Sequence, residues 1–556
     1  MDSACVHVYR GEMIVAAMER IEVDFDEKRI DEIFSEVNQC HLPGVAVGIA
    51  VDGTPVYRKG FGRANMELPL ENSPTLRYRI GSTSKHFTCF AYLLLCEEGK
   101  AHVDDPVAEH FPDLHKVTRS VTMRQLMGNI SGIRDVYELF TQFSEPYSGP
   151  GGAALSVTGA DLVKLYLDIS DVNAPPGLTW IYNNGGWLLL SLAIERISKA
   201  SLEDVMWHRI FKPVGMYDSL LLRGDTSYIP NRASQHVVNK RGGFERMFWG
   251  LDNFLGAGAI VSTVDDMLRW LAHMDSPTVG TVATWDLMRT PLNLSNGTST
   301  GYGLGLYSDH HRGVQTIHHA GNAFGGNAQM MKVPAAALDV VVISNRQDVW
   351  GWQLADRILD ECLPSLAPVT GPKRVDFPAG VYRSRKSGRV VQVIHRNEQH
   401  FASIGGWEFK LESKESGTLW ACDLPKDGKF GIQHTADARA KGSILVNEFG
   451  NVDELEPVKS GSPREGPRIV GRYGARSLGI EVEISCTDGV FVLRARGWFS
   501  GTSYELEHLA DRVWRAKSPA ETRVGFLGGF LVFDSDTAGF EYWNAQTRAL
   551  GFTRIQ

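Results

Sequence analysis

Four prolines, from Pro364 to Pro378, divide this chain of 556 residues into two unlike parts. Proline lacks a backbone donor and pushes its predecessor out of the helical region, so residues 366–378 read as a linker. Before it, strand signals stand at both ends of a mainly helical region. Val45 to Val51 is an apolar run; Asp52-Gly53 then signals a hairpin turn, and Pro55 to Lys59 returns. Gly303 to Tyr307, Thr316 to His319, Ala328 to Val333 and Asp339 to Ser344 read as strands again. Asp24 to Asn38, Ala160 to Ile169, Gly186 to Ser198, Leu202 to Phe211 and Val349 to Cys362 read as helices. The pattern predicts an α+β sandwich over 24–365, its antiparallel sheet closed by N- and C-terminal strands, after an extension at 1–23.

Beyond the linker the pattern changes to short strands and turns, with an internal repeat. Gly380-Val381-Tyr382 recurs as Gly471-Arg472-Tyr473, and Gly406-Trp407 as Gly497-Trp498, both at an offset of 91; Trp420 and Trp514 fall at roughly matching places further on. Two tandem small antiparallel β-barrels, over 379–465 and 466–556, are the simplest account.

The net charge of −8 argues against nucleic acid or an anionic membrane surface as partner. No apolar run approaches the ~18 residues of a membrane span. Seven cysteines, scattered and without a C-x-x-C pair, suit reduced thiols in a cytoplasm better than a disulfide framework; the periplasm is the alternative for a chain whose leader has been removed. Oligomeric state, a homodimer included, is left open. No metal or cofactor is expected, because there is no H-E-x-x-H and no Gly-rich loop ending in Gly-Lys-Ser/Thr.

Chemistry concentrates at Ser82-Thr83-Ser84-Lys85, where a strand-like segment, Thr75 to Ile80, turns through Gly81 into a helical run, Phe87 to Glu98. A serine three residues before a lysine shares its helix face, with Cβ atoms about 5–6 Å apart. Ser82 is the only serine with a lysine at that spacing. A lysine deprotonates serine only if burial or nearby positive charge lowers its pKa. Taken alone, the pair better suits a helix-capping serine beside a solvated lysine, because such caps are common.

Two further segments complete a hydrolytic set. Tyr182-Asn183-Asn184 follows the loop signal Pro175-Pro176-Gly177; a loop tyrosine beside a buried lysine is expected to be acidified and to shuttle protons, and Asn184 to present its amide to substrate. A second Tyr-x-Asn, Tyr542-Trp543-Asn544, reads as the chance match. His319-Ala320-Gly321 ends a strand: His319 would orient substrate, Gly321 would let it lie against the strand edge, and the N–H of Asn322 would complete an oxyanion hole with that of Ser82. Lys386-Ser387-Gly388 and Lys459-Ser460-Gly461 match a variant of this third segment equally well, but lie beyond the first domain.

These three motifs in this order, with Gly60-Phe61-Gly62, Val103-Asp104-Asp105-Pro106, Ser131-Gly132-Ile133, Pro213-Val214-Gly215-Met216, Ser262-Thr263-Val264-Asp265-Asp266-Met267 and Gly301-Tyr302-Gly303-Leu304-Gly305, resemble the serine β-lactamase and penicillin-binding-protein superfamily, in its class C-like branch. The three-part layout is similar to that of bacterial D-aminopeptidases. The resemblance implies a β-lactamase-like sandwich followed by two barrels. It also implies an acyl-enzyme mechanism with Ser82 as nucleophile, Lys85 as base and Tyr182 as proton carrier, and short or linearised peptides, with D- or unusual residues, as substrates. An esterase, a class C-like β-lactamase and a non-enzymatic penicillin sensor are the alternatives. It further implies that a loop of the last barrel, Arg496-Gly497-Trp498-Phe499, enters the site. Asn129-Ile130-Ser131-Gly132 departs from the usual His-Thr-Ser-Gly of the branch.

Overall fold

The computed structural model describes residues 20–144, 157–222, 227–239, 241–247, 254–368, 377–415, 418–422, 430–435, 442–461, 466–498, 501–517 and 528–555. Most of the linker and of the extension, and Phe499, lie outside them. The first part is built on helices α1 (Glu27–Ile33), α2 (Ser84–Glu97), α3 (Val136–Ser144), α4 (Asn184–Ser198), α5 (Val264–Asp275) and α6 (Gly351–Cys362). The strands of its main sheet are β1 (Val45–Val51), β2 (Thr54–Phe61), β3 (Tyr307–His311), β4 (Val314–Asn322), β5 (Asn327–Val333) and β6 (Leu338–Ser344). They form one antiparallel sheet in the order β3-β4-β5-β6-β1-β2, so the N-terminal hairpin closes the sheet beside the last strand.

Both faces of that sheet are covered, and the central strands β5 and β6 are buried at every position. Val45, Val47 and Ile49 pack with Ile30, Phe34, Leu354 and Ile358 of the α1 and α6 side. The alternate positions Ala46, Gly48 and Ala50 are small because α5 lies against them: a Cβ on Gly48 would come 2.5 Å from a Val264 methyl.

Several elements are shorter or shifted relative to the sequence expectation, among them the helix expected over Ala160 to Ile169, which ends at Leu165. The first helix stops at Ile33, because the Phe34 N–H turns back to Asp31 O and the Val37 N–H to Phe34 O, tucking Phe34 and Val37 into the core. The strand expected at Gly303 begins only at Tyr307, since Gly301 and Gly305 adopt left-handed backbones at φ +65° and +79°. The strand expected over Thr75 to Ile80 shrinks to Tyr78–Arg79, paired with Ser262 and Val261.

Two closed eight-stranded antiparallel barrels follow, beginning at Gly380–Arg383 and Gly471–Ala475. The 91-residue repeat coincides with their topology. The Tyr382 hydroxyl donates to Pro378 O at 2.9 Å and the Tyr473 hydroxyl to Ile469 O at 2.8 Å, four residues back in each case. Trp407 and Trp498 each follow the third strand of their barrel, and Trp420 and Trp514 lie on the fifth. The last barrel shares a continuous apolar core with the helical region through Tyr504, Tyr542 and Phe552. Among the described residues no helix is long and apolar enough to cross a membrane.

Candidate active site

Ser82 sits in a single 3₁₀ turn, Gly81–Thr83, that feeds directly into α2. Two glycines let this turn meet the end of β4. Gly81 takes φ +53°, and a Cβ there would lie 2.5 Å from Asn322 O. A Cβ on Gly321 would lie 1.8 Å from Ile80 O. The sequence reading assigned Gly321 to make room for substrate; the close approach of the Ser82 turn is what requires glycine at this position. The Thr83 hydroxyl pins the two together by donating to His319 O at 3.3 Å.

From Ser84 to Leu95, α2 is buried on every side. Lys85, one turn beyond Ser82, is therefore fully buried, while Ser82 keeps partial access. The Lys85 Nζ lies 3.0 Å from Ser82 Oγ, 2.8 Å from Asn184 Oδ1 and 2.6 Å from Ala257 O. Ala257 belongs to a short turn held over α2 by the Thr88 hydroxyl, which donates to Gly256 O at 2.9 Å. Burial pushes the Lys85 amine well below the ordinary lysine value, opposed by the Asp135 carboxylate. That opens the neutral amine to population, and the geometry suits it: Asn184 Oδ1 and Ala257 O accept its two hydrogens, and its lone pair is left for Ser82.

The Tyr182 phenol hydrogen-bonds Ser82, and the Lys85 Nζ lies 4.8 Å from its ring centre. Contrary to the sequence expectation, the phenol is not acidified. Burial raises it well above the ordinary tyrosine value, and the Ser82 bond offsets this only in part. Tyr182 is thus held as a neutral hydroxyl, able to pass a proton on while receiving another.

Asp135 is the group that sequence reasoning missed. It is buried at the starts of two helices. It accepts the N–H of Asn184 at 2.7 Å, of Gly185 at 3.0 Å, of Tyr137 at 2.9 Å and of Glu138 at 3.4 Å. Helix starts offer unpaired N–H groups and a positive dipole end, so one carboxylate ties α3 and α4 together and fixes Asn184. Its pKa is nevertheless raised, because burial outweighs the four donors. Asn129, which stands where the resemblance expects histidine, fixes the tyrosine loop from beneath. It adopts φ +56°, receives the Ile181 N–H on its carbonyl at 2.9 Å and the Asn183 N–H on its side chain at 3.3 Å. Asparagine tolerates that left-handed backbone better than most residues.

His319 lies beside the site, 1% exposed, with both ring nitrogens engaged by protein. Nδ1 faces Ala320 O at 2.7 Å, which assigns the proton there, and Nε2 accepts from the Tyr302 hydroxyl at 3.1 Å. Burial pushes its pKa down to about 3, so the ring is neutral. Asn322 is exposed and aligns with Asn327 on β5. The next residue, Ala323, donates to Gly326 O at 2.9 Å, so antiparallel alternation turns the Asn322 N–H away from β5, toward the Ser82 turn.

Of the loop Arg496-Gly497-Trp498-Phe499, Phe499 lies outside the described residues and the rest lies against the end of α3: a Cβ on Gly497 would meet Ser144 Oγ at 2.1 Å, and the Trp498 indole donates to Leu478 O at 2.6 Å. A different turn of the last barrel reaches the site, where Gln546 Nε2 donates to Tyr182 O at 3.1 Å. The Tyr-x-Asn segment set aside as a chance match is interfacial: the Tyr542 hydroxyl donates to Gln142 Oε1 at 3.0 Å and Asn544 Nδ2 to Glu138 Oε1 at 2.7 Å.

An antiparallel sheet flanked by helices, with a serine turn seated against its open strand edge, is the architecture of the serine penicillin-recognising proteins. The Beta-lactamase family matches residues 20–360, and the chain belongs to it. A D-aminopeptidase of Cereibacter sphaeroides is 27% identical over 475 residues, covering 84% of this chain and 86% of that protein. Among solved structures, an octameric penicillin-binding protein homologue from Pyrococcus abyssi superposes with a TM-score of 0.55 at 22% identity, over 77% of this chain and 99% of the other. A D-amino acid amidase from Ochrobactrum anthropi superposes with a TM-score of 0.51 at 20% identity, over 60% of this chain and 98% of the other. At these identities the two structures bear on the fold.

Proposed function

We propose that this chain is a serine peptidase or amidase that works through an acyl-enzyme and releases N-terminal D-residues from short peptides, linearised cyclic peptides among them. The observation that carries the chemistry is the buried Lys85 amine 3.0 Å from Ser82 Oγ, with the carbonyl oxygens of Asn184 and Ala257 at 2.8 and 2.6 Å on its other sides. The substrate class is supported by the D-aminopeptidase relative, whose similarity spans more of the chain than the first part alone.

Lys85 takes the Ser82 proton as Oγ attacks the substrate carbonyl carbon. The resulting oxyanion lies between the N–H groups of Ser82 and Asn322. Tyr182 gives its hydroxyl proton to the leaving amine and is reprotonated from the neighbouring Lys85 ammonium, so the C–N bond breaks and an ester on Ser82 remains. Water then enters by the reverse route: its proton passes to Lys85 by way of Tyr182, its oxygen bonds the carbonyl carbon, and Ser82 leaves with a proton restored. Asn184 holds Lys85, and His319 holds the strand edge and Tyr302. The scattered cysteines accord with a cytoplasmic location.

The test is a panel of D- and L-amino acid p-nitroanilides, p-nitrophenyl esters and nitrocefin, assayed with the native chain and with Ser82→Ala. Turnover of D-anilides that disappears in Ser82→Ala, along with labelling by a fluorophosphonate, is the expected result. Turnover confined to esters or to nitrocefin, or unchanged in Ser82→Ala, overturns the reading.

A further inference from the structure

The connections between the seventh and eighth strands of the two barrels, equivalent places in the repeat, both end on the loop that carries Tyr182. In the first barrel this is the turn between Ile444–Glu448 and Asn451–Pro457. Its Phe449, at φ +48°, stacks on Trp180 with ring centres 3.8 Å apart and planes 23° apart. In the last barrel it is the turn between Gly539–Trp543 and Leu550–Ile555, whose Gln546 donates to Tyr182 O.

Both turns are fixed from several sides. Asn544 Oδ1 accepts the N–H groups of Gln546 and Thr547 at 3.0 and 2.6 Å, which shapes the turn. Asn173 grips its backbone, donating to Gln546 O at 2.9 Å and accepting the Arg548 N–H at 3.0 Å, while Arg134 donates to Arg548 O at 2.6 Å. The turns are also tied to each other: Glu448 accepts from Arg389 of its own barrel and from Arg548 of the other, and all three side chains are nearly buried.

We infer that Phe449 and Gln546 are positioning residues that hold the Trp180–Tyr182 segment so that the phenol stays on Ser82. This rests on the reading of Tyr182 as the proton carrier. The Trp180 ring stands 6.0 Å from that of Tyr182 and 5.8 Å from that of Tyr302, the partner of His319, so a shift of Trp180 is passed to both. Proton transfer needs hydrogen-bond contact, and a displacement of about 1 Å can cost as much as 10²-fold in rate.

The experiment measures kcat and KM for a D-amino acid p-nitroanilide with full-length Gln546→Ala, Phe449→Ala, Phe449→Tyr and Tyr182→Phe, and with the double variant Tyr182→Phe/Gln546→Ala. The expected result is a fall in kcat of about tenfold for each alanine variant with KM within about twofold. Phe449→Tyr should restore the rate, and Gln546→Ala should add nothing once the phenol is gone, since coupled sites are non-additive. Unchanged kcat in both alanine variants while Tyr182→Phe is slow overturns the clamp alone, and so does full additivity in the double variant. Full activity of Tyr182→Phe overturns the proton-carrier reading itself. Should Phe449→Ala fail to fold, Gln546→Ala and the double variant decide.

Discussion

Asp135 and Lys85 never touch, yet one sets the other through a single asparagine. Asp135 Oδ2 accepts the backbone N–H of Asn184 at 2.7 Å, and the side chain of that same Asn184 accepts from Lys85 at 2.8 Å. The carboxylate also raises the lysine pKa through space, against the stronger lowering by burial.

Activity should therefore follow the neutral form of Lys85. The amine is depressed below the ordinary lysine value, so kcat/KM should rise with pH along a limb lying below about 10.4 and vanish as pH falls further. In Asp135→Asn the stabilising negative charge is gone, and this limb should move to lower pH while kcat falls about tenfold from the loosened Asn184. A pH–rate profile of both proteins checks the sign. A limb that stays in place removes Asp135 from the account.

Gly321→Ala should abolish turnover without touching any reacting atom. Its Cβ would lie 1.8 Å from Ile80 O, so the Ser82 turn or the end of β4 must move. A loss of at least about 10²-fold in kcat is expected, with fluorophosphonate labelling of Ser82 slowed alongside. Labelling at the native rate would show that the turn tolerates the methyl.

Glu138, buried between α3 and the last barrel, has its pKa raised to about 8 by burial and by the nearby Asp135. The folded form therefore holds a proton that the unfolded chain releases near 4.5. The corresponding stability is complete below pH 4.5 and is lost as pH rises through 8. Glu138→Gln should flatten the melting temperature between those limits and raise it at pH 8, as calorimetry across that range would reveal.

Glu448 has the opposite sign. Despite the strong opposing effect of burial, Arg389 and Arg548 draw its pKa below the ordinary value of 4.5. Its contribution is present above that value and is lost as pH falls through the lowered folded one. Glu448→Ala leaves two guanidinium groups buried without their acceptor, and a loss of about 3–5 kcal/mol is expected by denaturant unfolding.

The parts of the site that neighbour one another in sequence were legible there. The spacing of Ser82 and Lys85, and the turn signal before Tyr182, are local facts that the helix and loop preserve. The repeat was legible for a similar reason, since Tyr382 and Tyr473 each bond four residues back within their own barrel. Asp135 was not, because it works by collecting N–H groups from two helix starts that only the fold brings together. The phenol was misjudged because its pKa follows burial, which motif spacing does not encode. Gln546 lies 364 residues from the tyrosine whose carbonyl it binds, and nothing in its local sequence marks it.

The two barrels meet the tyrosine loop with the same hairpin of their shared topology, one supplying an aromatic ring and the other an amide. Two units of one topology thus support the same loop with complementary chemistry. Loss of either unit would leave Ser82, Lys85 and Tyr182 in the sequence while uncovering Trp180 or freeing the Tyr182 carbonyl. On the inferred support, a chain shortened at the proline segment should keep these three side chains and lose their alignment.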